Sequence, residues 1–168
     1  AFGEALRLEP GLADAMVPLA EILQIRNRLI EAAELCEQAI VIRADFFEAH
    51  AVLSLVRLAD CATPGLLVGL ALGRVGCFLN GCCFGGRCDL PWAVSFPAHS
   101  PPWHDQVARH LIDAGAAASL PVHPAQLYAA IDAGLLAALT AAYTPLARRP
   151  GEVFALALTL HPVSRLLL

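Results

Sequence analysis

The chain has 168 residues, 58% hydrophobic and only 15% charged, with a mean hydropathy of +0.62. Soluble domains lie nearer ~45–50% apolar and ~25% charged, so the balance points to a membrane protein and away from an ordinary soluble domain. The formal charge of −4 sits unevenly, ten acids and five Arg in residues 1–60 against five acids and six Arg in 61–168, and no basic cluster suggests a nucleic-acid partner.

Residues 1–58 carry helical periodicity and no run of membrane length. A 34-residue repeat emerges on self-comparison: Phe2, Ala5, Leu6, Leu8 and Pro10 align with Cys36, Ala39, Ile40, Ile42 and Ala44, and Ala15 with Ala49. Period and pattern resemble the tetratricopeptide repeat. One unit is expected over about 13–46, with helices at about 13–25 and 29–42 and a turn at Asn27. Residues 1–10 read as the end of a preceding unit and 47–58 as the first helix of the next. A peptide-binding scaffold is the functional reading of this segment; an ordinary helical hairpin is the plainer one and stands ahead of it. Cys36 falls at a packing position and reads as a buried free thiol.

The composition shifts near Asp60, and three apolar runs follow at about 64–79, 126–146 and 153–168. They predict an all-α chain, a short helical-repeat segment followed by a polytopic core of about three transmembrane spans. Gly69, Gly73 and Gly76 punctuate the first run, as small residues do where membrane helices approach closely. Residues 81–123 read as an extramembrane or interfacial loop, with a short amphipathic helix expected over about 107–118. The chain begins at Ala1 and ends in an apolar run, which reads as a fragment or a trimmed piece.

Arg148–Arg149 is the basic pair of a short loop between the second and third runs and is therefore expected on the cytoplasmic side. Chain order then puts Arg74, His123 and Arg165 toward the opposite, outer face. An arginine inside a glycine-rich apolar segment is costly unless used, and three ionisable groups on one side suggest a shared site. Cys77, Cys82, Cys83 and Cys88 read C-x4-CC-x4-C, which is not zinc spacing. Small packing residues are the leading reading, an outer-loop disulfide to Cys88 the alternative, and a Cys-ligated metal or iron–sulfur site the least favoured of the three; no metal and no cofactor are expected.

Four segments in order carry a family resemblance: 73–86 (GRVGCFLNGCCFGG), 123–128 (HPAQLY), Arg149–Pro150–Gly151 followed by Phe154, and Arg165 after Leu160–His161. Together they resemble the bacterial prolipoprotein diacylglyceryl transferase family over about residues 59–168, the C-terminal part of its core. Cys77, Cys82, Cys83, Ala129 and His161 depart from the residues usual there, and the family's upstream His-Gly-Gly segment is not in this chain. The resemblance implies a multi-pass enzyme of the bacterial inner membrane, active toward the periplasm. It would move a diacylglyceryl group from phosphatidylglycerol to the lipobox cysteine of a prolipoprotein signal peptide. It assigns catalysis to Arg74, Arg165 and His123, with Arg74, Asn80, Gly81, Gly85, Gln126 and Tyr128 at the headgroup. The second reading is a non-catalytic, membrane-anchored repeat protein that binds a peptide partner through residues 1–58 and carries a degenerate core.

Overall fold

A computed structural model describes residues 11–26 and 28–167, with side chains for 16–26 and 28–166. The expected end of a preceding repeat unit (residues 1–10) and the turn residue Asn27 lie outside the described residues. Among these, regular structure is helical: α1 (Gly11–Ile25), α2 (Leu29–Ile42), α3 (Phe47–Asn80), α4 (Pro101–Ala108), α5 (Ala125–Tyr143) and α6 (Glu152–Leu167). A short 3-10 turn, Thr144–Leu146, follows α5. The chain forms two compact units, one from the chain up to Gly65 with Ala137–His161, the other from Leu66–Leu136 with the chain from Pro162.

In the first unit the helical period decides what is buried. Ala32, Ala33, Cys36 and Ala39 of α2 recur on one face and are fully covered. Their small side chains let α1 approach through Met16, Val17, Ala20 and Leu23. The start of α3 adds Ala49, Val52, Leu53 and Val56 at helical spacing. Burial, with Glu21 and Glu37 nearby, pushes the Cys36 thiol up to about 11. The helix then runs on through Pro64 as far as Asn80. Residues 47–58 and the apolar run after 64, expected as separate elements, are therefore one helix.

The Arg149–Pro150–Gly151 turn is held by a residue the motif does not contain. The Asp60 carboxylate accepts the N–H of Gly151 at 2.6 Å and that of Phe154 at 2.9 Å. These are orphan donors at the first turn of α6, and a carboxylate there also meets the positive end of the helix dipole. Gly151 has φ +93°, and an added Cβ would sit 3.2 Å from Leu29 and Val56 side-chain atoms, so conformation and space both demand glycine. Arg149 ion-pairs with Glu34 of α2.

Two helices, α3 and α5 with its 3-10 extension, are long and apolar enough to cross a membrane. A soluble core helix would be mostly covered, whereas only 28% and 33% of their most apolar windows are buried. Leu66, Leu72 and Leu79 of α3 and Ile131 and Leu135 of α5 stand exposed, as lipid-facing side chains would. The third expected span is shorter: α6 has 16 residues, about 24 Å of helix against a hydrocarbon core of about 30 Å. A Cβ at Gly65, Gly69, Gly73 or Gly76 would meet nothing within 4 Å, so the close helix approach expected there is not made among the described residues.

The loop between α3 and α5 is ordered by short pairings. Val94 and Val122 exchange backbone hydrogen bonds at 3.1 and 3.0 Å, and Ser119 N–H reaches Phe96 O at 2.8 Å. Buried Gln106 clamps Leu120, its Oε1 accepting the Leu120 N–H at 2.6 Å and its Nε2 donating to Leu120 O at 3.2 Å. The loop helix is α4 at 101–108, not 107–118. Prolines at its first two positions start it, because their missing N–H groups would be orphans there anyway. Past Arg109 the chain turns through His110 at φ +57° and enters non-helical backbone.

Candidate functional site

The candidate site lies in the second unit, where the C-terminus of α3 meets the N-terminus of α5. Helix α3 closes in a Schellman motif. Gly81 N–H bonds Phe78 O and Cys82 N–H bonds Cys77 O, both at 3.1 Å, with Gly81 at φ +72°. Only glycine adopts that conformation without strain, and a Cβ there would also press on Phe96 at 3.3 Å. The asparagine before it, Asn80, is exposed at the helix end.

The chain leaving this cap is stitched to the segment entering α5. Gly85 N–H donates to His123 O at 3.0 Å and His123 N–H to Gly86 O at 2.9 Å; Cys88 N–H reaches Pro121 O at 3.0 Å. An added Cβ on Gly85 would lie 2.7 Å from His123 Cβ and 3.0 Å from His123 O. Glycine at 85 is thus a close approach of two backbones. One residue into α5, Gln126 donates from Nε2 to Cys82 O at 2.7 Å. Gln126 is 1% exposed, and its Oε1 is buried with no hydrogen-bond partner among the described residues. A buried orphan acceptor is costly, and a ligand hydroxyl or N–H would satisfy it.

His123 and Tyr128 face each other. Trp92 Nε1–H donates to the Tyr128 hydroxyl at 2.7 Å, and that oxygen lies 3.3 Å from His123 Nδ1. Indole is a donor only, so the Tyr128 oxygen accepts from Trp92 and can either donate to a bare Nδ1 or accept from Nδ1–H of His123. Trp92 is not among the residues expected at the site from the sequence.

Arg74 is half-buried on α3, six residues or about 9 Å of helix before Asn80. Arg165 is exposed in the last turn of α6. Its neighbour Ser164 donates to Asp132 at 2.8 Å, seven residues or about 10 Å into α5. The backbone positions of Arg74 and Arg165 are therefore at similar depth along their helices from the loop end. Neither has a hydrogen-bond or ion-pair partner among the described residues, and they are not paired with His123, Gln126 or Tyr128. Beside Gly85 and Gly86 opens a cavity of about 330 Å³ whose wall includes Phe84, Arg87, Gln106 and Arg109. Arg109 is paired with Asp105, while Arg87, which the sequence reading passed over, has no partner among the described residues.

All six cysteines are free. The packing reading fits Cys36 and Cys88, which are buried, and the outer-loop disulfide is not formed. It does not fit Cys77 and Cys82, half-exposed, or Cys83, exposed.

Among the described residues, two uncovered span-length helices, with polar residues collected where one ends and the other begins, are the arrangement of a membrane protein with a candidate site at the loop end of those helices. The prolipoprotein diacylglyceryl transferase family matches residues 38–168, and the chain belongs to that family. The match reaches back into α2, twenty-one residues before the start expected from the motifs. Among curated relatives, the phosphatidylglycerol–prolipoprotein diacylglyceryl transferase of Clostridium tetani is 31% identical over 112 residues, 67% of this chain and 39% of the relative. That of Rhodospirillum rubrum is 34% identical over 119 residues, 68% and 37%. That of Rhodopirellula baltica is 48% identical over 52 residues, 30% and 11%. The chain thus spans well under half the length of these relatives. No solved structure matches it.

Proposed function

We propose that the protein transfers a diacylglyceryl group from phosphatidylglycerol to the thiol of a prolipoprotein lipobox cysteine, at the periplasmic face of a bacterial inner membrane. One observation carries the reading. The glycine-rich signature segment and the His123–Tyr128 segment, far apart in sequence, are hydrogen-bonded into one polar junction through Gly85, His123, Cys82 and Gln126.

In this reaction the substrate's sulfur attacks the glyceryl carbon that bears the phosphate. A C–S bond forms, the C–O bond breaks with its electron pair, and glycerol phosphate leaves. The sulfur's proton passes to a base. Charge grows on the departing phosphate, so a bidentate cation is wanted, and guanidinium supplies one. Arg74 and Arg165, which have no competing partner among the described residues, take that role and stabilise the departing anion. The open Oε1 of Gln126 accepts a headgroup hydroxyl, and Asn80, exposed at the end of α3, offers a further hydrogen bond to the headgroup. Gly81 and Gly85 let backbone come close. His123, oriented by Tyr128, accepts or relays the thiol proton. The nucleophile belongs to the substrate, so no enzyme nucleophile is required.

Arg148–Arg149 lies on the cytoplasmic side, which sends the loop end of α3 and α5 to the periplasm. Helix α6 serves as the third, short span. Helices α1 and α2 form a tetratricopeptide-like hairpin that offers a face to a peptide, and the transferase core follows, from within α2 where the family match begins. The small residues closing α1 on α2 support the hairpin.

The test is thioether formation on a lipobox peptide in vesicles containing phosphatidylglycerol and the full chain. Arg74→Ala and Arg165→Ala are each expected to lower the rate at least ~100-fold, the scale of losing an anion-stabilising donor. Full activity in either variant, or no transfer by the unaltered chain, overturns the proposal.

A further inference from the structure

The family's chemistry leaves one cluster unused. The sulfurs of Cys77, Cys82 and Cys83 all lie within 4.8 Å of one another. The helix cap makes this happen. In a Schellman motif the third residue from the helix end and the second residue past the cap are brought into contact, usually as an apolar pair. Here those positions are Cys77 and Cys82. Cys83 then takes φ +59°, a left-handed turn rare for a non-glycine residue, and its sulfur joins the other two.

We propose that Cys77, Cys82 and Cys83 form a three-coordinate thiolate site for a soft monovalent ion, with copper(I) as its ligand. Three sulfurs around one ion at metal–sulfur bonds of about 2.3 Å stand roughly 4 Å apart, so closing the cluster needs a sulfur movement of about 1 Å or less. Thiolate ligands select copper(I), zinc and iron–sulfur centres. Zinc sites want four ligands, and no fourth His, Cys, Asp or Glu joins the group among the described residues. Binding exchanges three S–H bonds for three Cu–S bonds and releases the thiol protons to water; nothing is oxidised. Cys83 is exposed, so the ion has an entry path.

This differs from the reading of the spacing alone. Adjacent cysteines fit poorly around a tetrahedral ion, but a trigonal ion asks less of them, and the cap supplies the third sulfur from a turn earlier.

The test is anaerobic titration of the reduced full chain in detergent micelles with copper(I), against bathocuproine disulfonate as competing chelator. One copper(I) per chain is expected to resist the chelator and to give thiolate-to-copper charge-transfer absorption. Cys77→Ser, Cys82→Ser and Cys83→Ser should each weaken binding more than about 100-fold, beyond the cost of losing an outer-sphere partner. Cys61→Ser and Cys88→Ser should bind as the unaltered chain does, and far-UV circular dichroism checks that each variant keeps its helices. The proposal is overturned if the unaltered chain holds no copper(I), or if any of the three cluster variants folds and binds it undiminished. Disulfide formation within the cluster in protein purified without reductant, together with no copper uptake after reduction, overturns it as well.

Discussion

Replacing Gly85 by alanine tests whether the junction between the two motifs is a true backbone contact. The new Cβ would lie 2.7 Å from His123 Cβ, 3.0 Å from His123 O and 3.4 Å from Ala125 Cβ. Carbon contacts settle near 3.5–4.0 Å, so the strands must part by roughly 1 Å. The nearest atoms are a Cβ and a carbonyl, which no rotamer change can move aside. Forced overpacking costs about 1–3 kcal/mol, and weakening the paired Gly85–His123 and His123–Gly86 hydrogen bonds adds about 1 kcal/mol. Gly85→Ala should therefore lose about 2–4 kcal/mol and displace His123. A Cβ on Gly86 would meet nothing within 4 Å, so Gly86→Ala is the matched control and should lose less than about 1 kcal/mol. Urea unfolding of both variants in micelles, followed by tryptophan fluorescence, measures the difference. Equal stabilities for the two alanine variants would refute the contact and the site geometry built on it.

Two further outcomes follow from the first unit. Asp60→Ala should raise amide exchange at Gly151 and Phe154 and cost about 3 kcal/mol, because two charge-assisted bonds at a helix start are lost. Asp60→Asn, which keeps one acceptor, should cost about half as much; exchange by mass spectrometry indistinguishable from the unaltered chain would disprove the cap. The Cys36 thiol, raised from 9.0 to about 11, makes stability fall with pH in that window. The unfolded thiol ionises above pH 9 while the folded one keeps its proton, so the native state binds more protons and the slope is negative. The loss should reach about 2–3 kcal/mol by pH 11, and Cys36→Ala should flatten that part of a urea-midpoint profile.

How much was legible in the sequence depends on the range of the interaction. Helices at 29–42 and near 126–146 could be read from periodicity and hydropathy, because a helix is a local structure and its buried face repeats every few residues. The same logic failed between Asp60 and Pro64, where a change of composition suggested a boundary. Burial of Val52 and Val56 on one side and the apolar run on the other carry α3 through that point. It failed again at 101–108, where the start signal was a proline pair and not an apolar period. Gly81 and Gly85 were recognised by their motif, but the reasons for them differ. One takes a left-handed cap, which is local; the other approaches His123, which is not.

The sequence by itself determined the helical class, the membrane-like hydropathy and the family, since composition, period and ordered short motifs are one-dimensional properties. Only the tertiary structure decided which distant groups share a site. It joined Cys82 to Gln126, Gly85 to His123 and Asp60 to the Gly151 turn, and it gathered three cysteines whose spacing promised no common ligand. The physical reason is that backbone hydrogen bonds across a loop, and the reach of a capped helix end, depend on where the chain returns in space.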